Sequence, residues 1–150
     1  MNIRRATVED IDAIMAHLSS HIAACRVHYP APDKQSVAQT ILSSFHHTSP
    51  KAVFVAECGG EIIGLAHVSA SIYPFAPIVN GFIWLVYVAP EHRGGRAFSS
   101  LMNAVYAWAA EKQCHNLSWT LSAGIDDEGI AACLEKRGWN RVGIDLVKGL

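Results

Sequence analysis

The chain is short of several things, and each shortage narrows its role. No apolar run in its 150 residues approaches the ~20 needed to cross a bilayer. The N-terminal stretch MNIRRATVEDID carries no apolar signal region, so we expect no membrane partner and a cytoplasmic location. Excess charge of either sign is also missing: the formal net charge is −1, and no global basic field recruits nucleic acid. The four cysteines, Cys25, Cys58, Cys114 and Cys133, form no CxxC pair and read as reduced, mostly buried thiols. The eight histidines, His46-His47 included, never meet cysteine at metal-ligand spacing, so no metal is expected. A charged fraction of only 17% beside a hydrophobic fraction of 51% excludes a disordered chain. The length suits one domain over residues 1–150.

What is present concentrates between Gly81 and Met102, GFIWLVYVAPEHRGGRAFSSLM. GFIWLVYV reads as a buried strand, and Pro90, which has no N–H to donate to a ladder, stops it. His92, Arg93, Gly94, Gly95 and Arg96 follow, and an amphipathic helix begins at once. A strand, a Gly/Arg turn and a helix N-terminus in that order make an anion site. Backbone N–H groups point outward, the helix end carries partial positive charge, and two guanidiniums add full charges. A chain with almost no net charge then needs only a local site, which suits a small phosphorylated ligand.

The remaining elements follow from periodicity and punctuation. Residues 2–6 read as a strand, and Thr7 with Asp10 resembles a capping box opening a helix with Ile11, Ile14, Met15, Leu18 and Ile22 on one face. CRVHYPAPD (25–33) breaks that helix, and a second is expected over 34–47 with Val37, Ile41, Leu42 and Phe45 inward. AVFVAEC, Gly59-Gly60 and EIIGLAHVSA form a hairpin signal, followed by the loop SIYPFAPIVN (71–80). A third helix is expected over 98–112, a strand over 116–122, a fourth helix from the acidic run Asp126-Asp127-Glu128 to Gly138, and a last strand over 141–148. The order β-α-α-β-β-β-α-β-α-β predicts an α/β protein with a mixed sheet covered by helices.

Three segments in that order, IRRATVEDIDAI, VYVAPEHRGGRAFSSLM and ACLEKRGWNRVG, resemble the GCN5-related N-acetyltransferase (GNAT) family over essentially the whole chain. The middle segment is similar to the family's acetyl-CoA turn, and the late one to its closing A-x-x-L-Y-E-K-x-G-F element. The resemblance implies a splayed central sheet with acetyl-CoA in the gap. Backbone groups of Val86, Tyr87 and Val88 would pair with the pantetheine arm as an added strand, and a backbone N–H there would polarise the thioester carbonyl. Arg93, Gly94, Gly95, Arg96, Ala97 and Phe98 would cradle the pyrophosphate, with Asp127 before the fourth helix also facing the cofactor. The implied activity is transfer of an acetyl group to an amine of a small molecule or peptide by direct attack. The alternative is an acyl-CoA-binding module without productive chemistry. The resemblance leaves room for a homodimer.

The sequence departs from that pattern at the chemistry. Counting from Pro90, the second and third motif glycines fall on Arg96 and Phe98; a register starting at His92 recovers Gly95 and Ala97. The tyrosine that protonates the leaving CoA sulfur in many members is replaced by Leu134, and the strand 82–87 has no carboxylate to act as base. Candidate bases are His67, His28 and Tyr29, with Glu57 and Glu61 at the hairpin. The loops flanking the acceptor side carry one carboxylate, Asp33, which favours a weakly charged amine or a peptide over a polyamine.

Overall fold

The hairpin and helix signals assemble into one five-stranded mixed sheet between two helical layers. The computed structural model describes residues 1–143, 146 and 148. In chain order the elements are β1 (Asn2–Arg5), α1 (Ile11–Ala24), α2 (Lys34–Ser44), β2 (Lys51–Cys58), β3 (Glu61–Ile72), β4 (Val79–Val88), α3 (Ala97–Glu111), β5 (Cys114–Trp119) and α4 (Asp127–Glu135). The strands lie in sequence order across the sheet. The first three pairings are antiparallel, and β4 runs parallel to β5.

Alternation along β2 builds two cores from one strand. Ala52, Phe54 and Ala56 face α3, where Leu101, Met102, Val105 and Trp108 are buried with Leu134 of α4. Val53 and Val55 face the other way, against Ile14 of α1, Ile41 of α2 and Tyr87 of β4. The Thr7–Asp10 capping interaction forms: the Asp10 carboxylate accepts the Thr7 N–H at 2.8 Å. Asp10 is buried, and Arg4 neutralises it through two bonds at 2.7 and 2.9 Å. That guanidinium holds the Asp10 carboxyl below the usual carboxylate range.

The hairpin turn is as expected, with Gly59 and Gly60 at φ 62° and 86°. Helix α2 differs: it stops at Ser44, three residues short of the expected end, and Leu42 and Phe45 are exposed. Val37, Ile41 and Ser44 form the inward stripe instead, at i, i+4 and i+7. The buried Ser44 hydroxyl is satisfied by the Ile41 carbonyl at 2.9 Å. The strand expected over 141–148 falls on a segment of which residues 144, 145 and 147 lie outside the described residues, and 141–143 carry no strand.

Two irregularities in β4 create the space for a site. Against β3, His67 pairs with Leu85 and Val68 with Ile83, which leaves Trp84 as the extra residue of a β-bulge. Against β5, pairing runs only from Val79 to Ile83, where Ile83 meets Trp119. Residues 84–88 therefore continue past the end of β5 with that edge free. This is the splay that the family resemblance implies.

Candidate active site

The free edge of β4 forms one wall of a cleft of about 730 Å³. Trp84 to Val88 face Trp119 to Ala123 across it, and the turn residues His92 to Gly95 close one end with Phe98 and Ser99 of α3. Asp127, Ile130, Cys133 and Arg137 line it from α4 and its C-terminal turn, and His21, Cys25 and Tyr29 from the C-terminal end of α1 and the loop beyond. A backbone bond from Arg26 N–H to the Ala123 carbonyl, 2.7 Å, ties that loop to the chain leaving β5.

At the turn, Gly94 adopts φ 78°, a left-handed conformation that costs a side-chain-bearing residue strain. Helix α3 starts immediately after, and its first-turn N–H groups have no carbonyl within the helix to bond. Arg93 bends inward: its Nε donates to the Val88 carbonyl at 3.0 Å, and its guanidinium lies 5.9 Å from the Tyr87 ring centre. Arg96 and Ala97 do not line the cleft; Arg96 is exposed, and Ala97, the first residue of α3, is buried in the core on that side of the sheet. Phe98, at a position where the family pattern has glycine, stacks on Trp119 with centroids 6.4 Å apart. Arg137 also approaches it: its guanidinium lies 5.8 Å from the Phe98 ring centre and donates to Ser99 Oγ at 3.0 Å. This stack places a cation beside the start of α3 that no motif in the turn announces.

Leu134 is 3% exposed and belongs to the α3-side core, so it contributes nothing to the cleft. The neighbouring Cys133 lines it instead, with Asp127 and Ile130 of the same helix. Asp127 lines the cleft and accepts the Gly124 N–H at 2.8 Å. Trp84 is 66% exposed, and its Nε1 donates to Ser69 Oγ at 2.7 Å; it walls the cleft where the bulge turns it outward.

The proposed bases separate. Tyr29 lines the cleft and His28 does not. Glu57 is occupied by Arg4 at 2.7 Å, and Glu61 is exposed on the hairpin away from the cleft. His67 lines a second, smaller hollow of about 240 Å³ between β3, β4, α1 and α2. Its Nε2 is buried without a hydrogen-bond partner, and burial with the nearby Lys51 charge lowers its pKa to about 4.

His21 and Cys25 also line the cleft, and nothing in the motifs marks them as site residues. His21 and Cys25 lie one helical turn apart, with Cys25 Sγ 3.4 Å from His21 Nε2. The His21 ring stands edge-on to Tyr87, centroids 5.7 Å apart. Burial, aided by the Arg93 charge, lowers the His21 pKa. Burial and then the Asp127 charge raise that of the Cys25 thiol. Their signal in the sequence is the i, i+4 spacing, on a helix whose apolar stripe drew attention to the other residues.

Among the described residues, no group of three or more His, Cys, Asp or Glu side chains is placed to hold a metal ion, and no helix is long and apolar enough to cross a membrane. The fold is similar to that of a transcriptional regulator from Bacillus halodurans C-125, 21% identical, TM-score 0.80, covering 99% of each chain. It is also similar to glucosamine-6-phosphate N-acetyltransferase from Arabidopsis thaliana, 14% identical, TM-score 0.78, covering 99% of this chain and 97% of that one. A third likeness is to a predicted acetyltransferase with acetyl-CoA from Clostridium acetobutylicum, 17% identical, TM-score 0.76, covering 99% and 95%. No curated protein matches the sequence. The model of the acetyltransferase (GNAT) family matches residues 16–139, most of the length, and the chain belongs to that family.

Proposed function

We propose that this single-domain protein is a cytoplasmic N-acetyltransferase that uses acetyl-CoA as acetyl donor and a small-molecule or peptide amine as acceptor. The observation that carries the reading is the cleft itself. A strand edge free over residues 84–88 runs directly into a left-handed glycine and a helix N-terminus, inside about 730 Å³ of lined space. A thioester with a phosphorylated tail has use for each part in that order. The donor supplies the activated acyl group; the protein's residues supply binding and proton handling.

Main-chain groups of Val86, Tyr87 and Val88 would bind the pantetheine arm, and one of their N–H groups would stabilise charge on the thioester oxygen. Arg93, Gly94, Gly95 and Phe98 of the turn, the α3 N-terminus and Arg137 would hold the phosphates. An amine must lose its proton before attack, and His21, which burial keeps neutral, would accept it from the cleft wall. The acceptor would enter between Tyr29 and Trp84, both of which line the cleft and are exposed. The Arabidopsis relative is named for a sugar amine, which supports an amine acceptor of modest size.

The burial of Leu134 favours a second reading, an acyl-CoA-binding module without turnover. Thermal-shift binding of acetyl-CoA, measured beside release of CoA thiol with a panel of amines, separates the two. Acceptor-dependent thiol release supports the enzyme. Binding with no release across the panel supports the module, and no binding removes both.

A further inference from the structure

We propose that Cys25 is an acyl-accepting nucleophile of the cleft, with His21 as its base. The inference rests on acetyl-CoA occupying the cleft, and it goes beyond direct transfer to an amine.

The geometry is that of a nucleophile within reach of its base, with the base held by a third group. Cys25 Sγ and His21 Nε2 are 3.4 Å apart, and the imidazole packs edge-on against Tyr87. Both line the cleft together with Val86 and Val88, the strand edge along which a thioester would lie. The pair comes from helix geometry: residues four apart share a face, and Cys25 is the residue at which α1 ends.

The electrostatic surroundings define the resting state. Burial and then the Arg93 charge oppose a charge on His21, and burial and then the Asp127 charge oppose a thiolate on Cys25, so the pair rests as neutral imidazole and neutral thiol. Attack then requires proton transfer as the new bond forms. His21 occupies the last turn of α1, where the negative end of the helix dipole stabilises a transient imidazolium.

The step balances as a thioester exchange. Cys25 Sγ bonds to the acyl carbon while the bond from that carbon to the CoA sulfur breaks. The thiol proton passes to His21 Nε2 and from there to the departing CoA thiolate. The products are acetyl-Cys25 and CoA thiol, with no change in redox state. One thioester replaces another, so the exchange needs no driving reagent.

Two measurements on the 150-residue chain test this. In the first, protein mixed with acetyl-CoA and no amine is acid-quenched from seconds to hours. It is then analysed by intact and peptide mass, with CoA thiol release followed in parallel. The expected result is a hydroxylamine-labile acetyl adduct on Cys25 that is absent from Cys25→Ser, although that variant still binds acetyl-CoA in a thermal shift. In the second, without acetyl-CoA, iodoacetamide alkylation of Cys25 is followed against pH, and His21→Gln should slow it about 10²-fold. Bound acetyl-CoA with no Cys25 adduct at any time, and thiol release equal in wild type and Cys25→Ser, overturns the inference and leaves the proposed function standing. Failure of wild type to bind acetyl-CoA overturns both. Alkylation unaffected by His21→Gln removes the base.

Discussion

His67 and His21 lie in two hollows on either side of β4, and they differ in what surrounds them. His67 sits in the smaller hollow under α1 and α2 with its Nε2 buried and unpartnered. His21 sits in the larger cleft with a thiol at 3.4 Å. Burial lowers both pKa values, so a depressed pKa does not by itself distinguish them. The lesson is that desolvation makes an imidazole neutral, whereas access to a reacting group makes it useful. Of these two, His21 faces the space large enough for a cofactor and lined by a free strand edge.

The largest expected effect separates the two through stability. Unfolded His67 takes up a proton near pH 6.5, and the folded protein resists until about 4. Between those values the unfolded chain holds more protons, so stability is full above the window and falls as pH drops through it. The loss is on the order of 3 kcal/mol for that shift. Urea unfolding at pH 7 and pH 4.5 should show it. His67→Leu, set among Ile14, Leu18, Val53, Leu65 and Leu85, should flatten most of the dependence, with a smaller slope left from His21. An unchanged slope in that variant would mean that another group carries it.

The next effect reverses the comparison. His21→Gln should slow CoA thiol release by about 10²-fold, whereas His67→Leu should change it far less; equal losses would erase the distinction between the hollows. At the phosphate end, Arg137→Ala should weaken acetyl-CoA binding about tenfold, as expected for loss of a charge-assisted bond. Arg96→Ala should weaken it less, because Arg96 lies outside the cleft. Titration calorimetry ranks the two, and the opposite order would return the phosphate contact to the turn's own arginine. The smallest effect is Gly94→Ala, where φ 78° should cost about 1 kcal/mol of stability, read by denaturant midpoint.

Much of the fold could be read from residue order because its boundaries are chemically marked. Gly59-Gly60 forces a hairpin, Pro90 ends β4, and the Thr7–Asp10 pair starts the α1 region. The end of α2 was less legible: Leu42 and Phe45 suit a buried face by composition, but the sheet takes up the stripe of Val37, Ile41 and Ser44. The main-chain part of the site was readable for the same reason as the fold, since a strand running into glycines has few local solutions. The side-chain part was not. His67 looked accessible because strand alternation cannot say which of two helical layers covers a face. His21 and Cys25 were hidden in a helix whose periodicity signalled only packing. Arg137 reaches the cleft through its stack on Phe98, a contact between residues far apart in sequence.

The claim at the centre is that acetyl-CoA lies along the free edge of β4. Hydrogen exchange with and without acetyl-CoA tests it most directly. The account predicts new protection in residues 84–88 and at the start of α3, with the β3 amides around His67 unchanged. Protection confined to the α1–α2 side, or none at saturating acetyl-CoA, would contradict it.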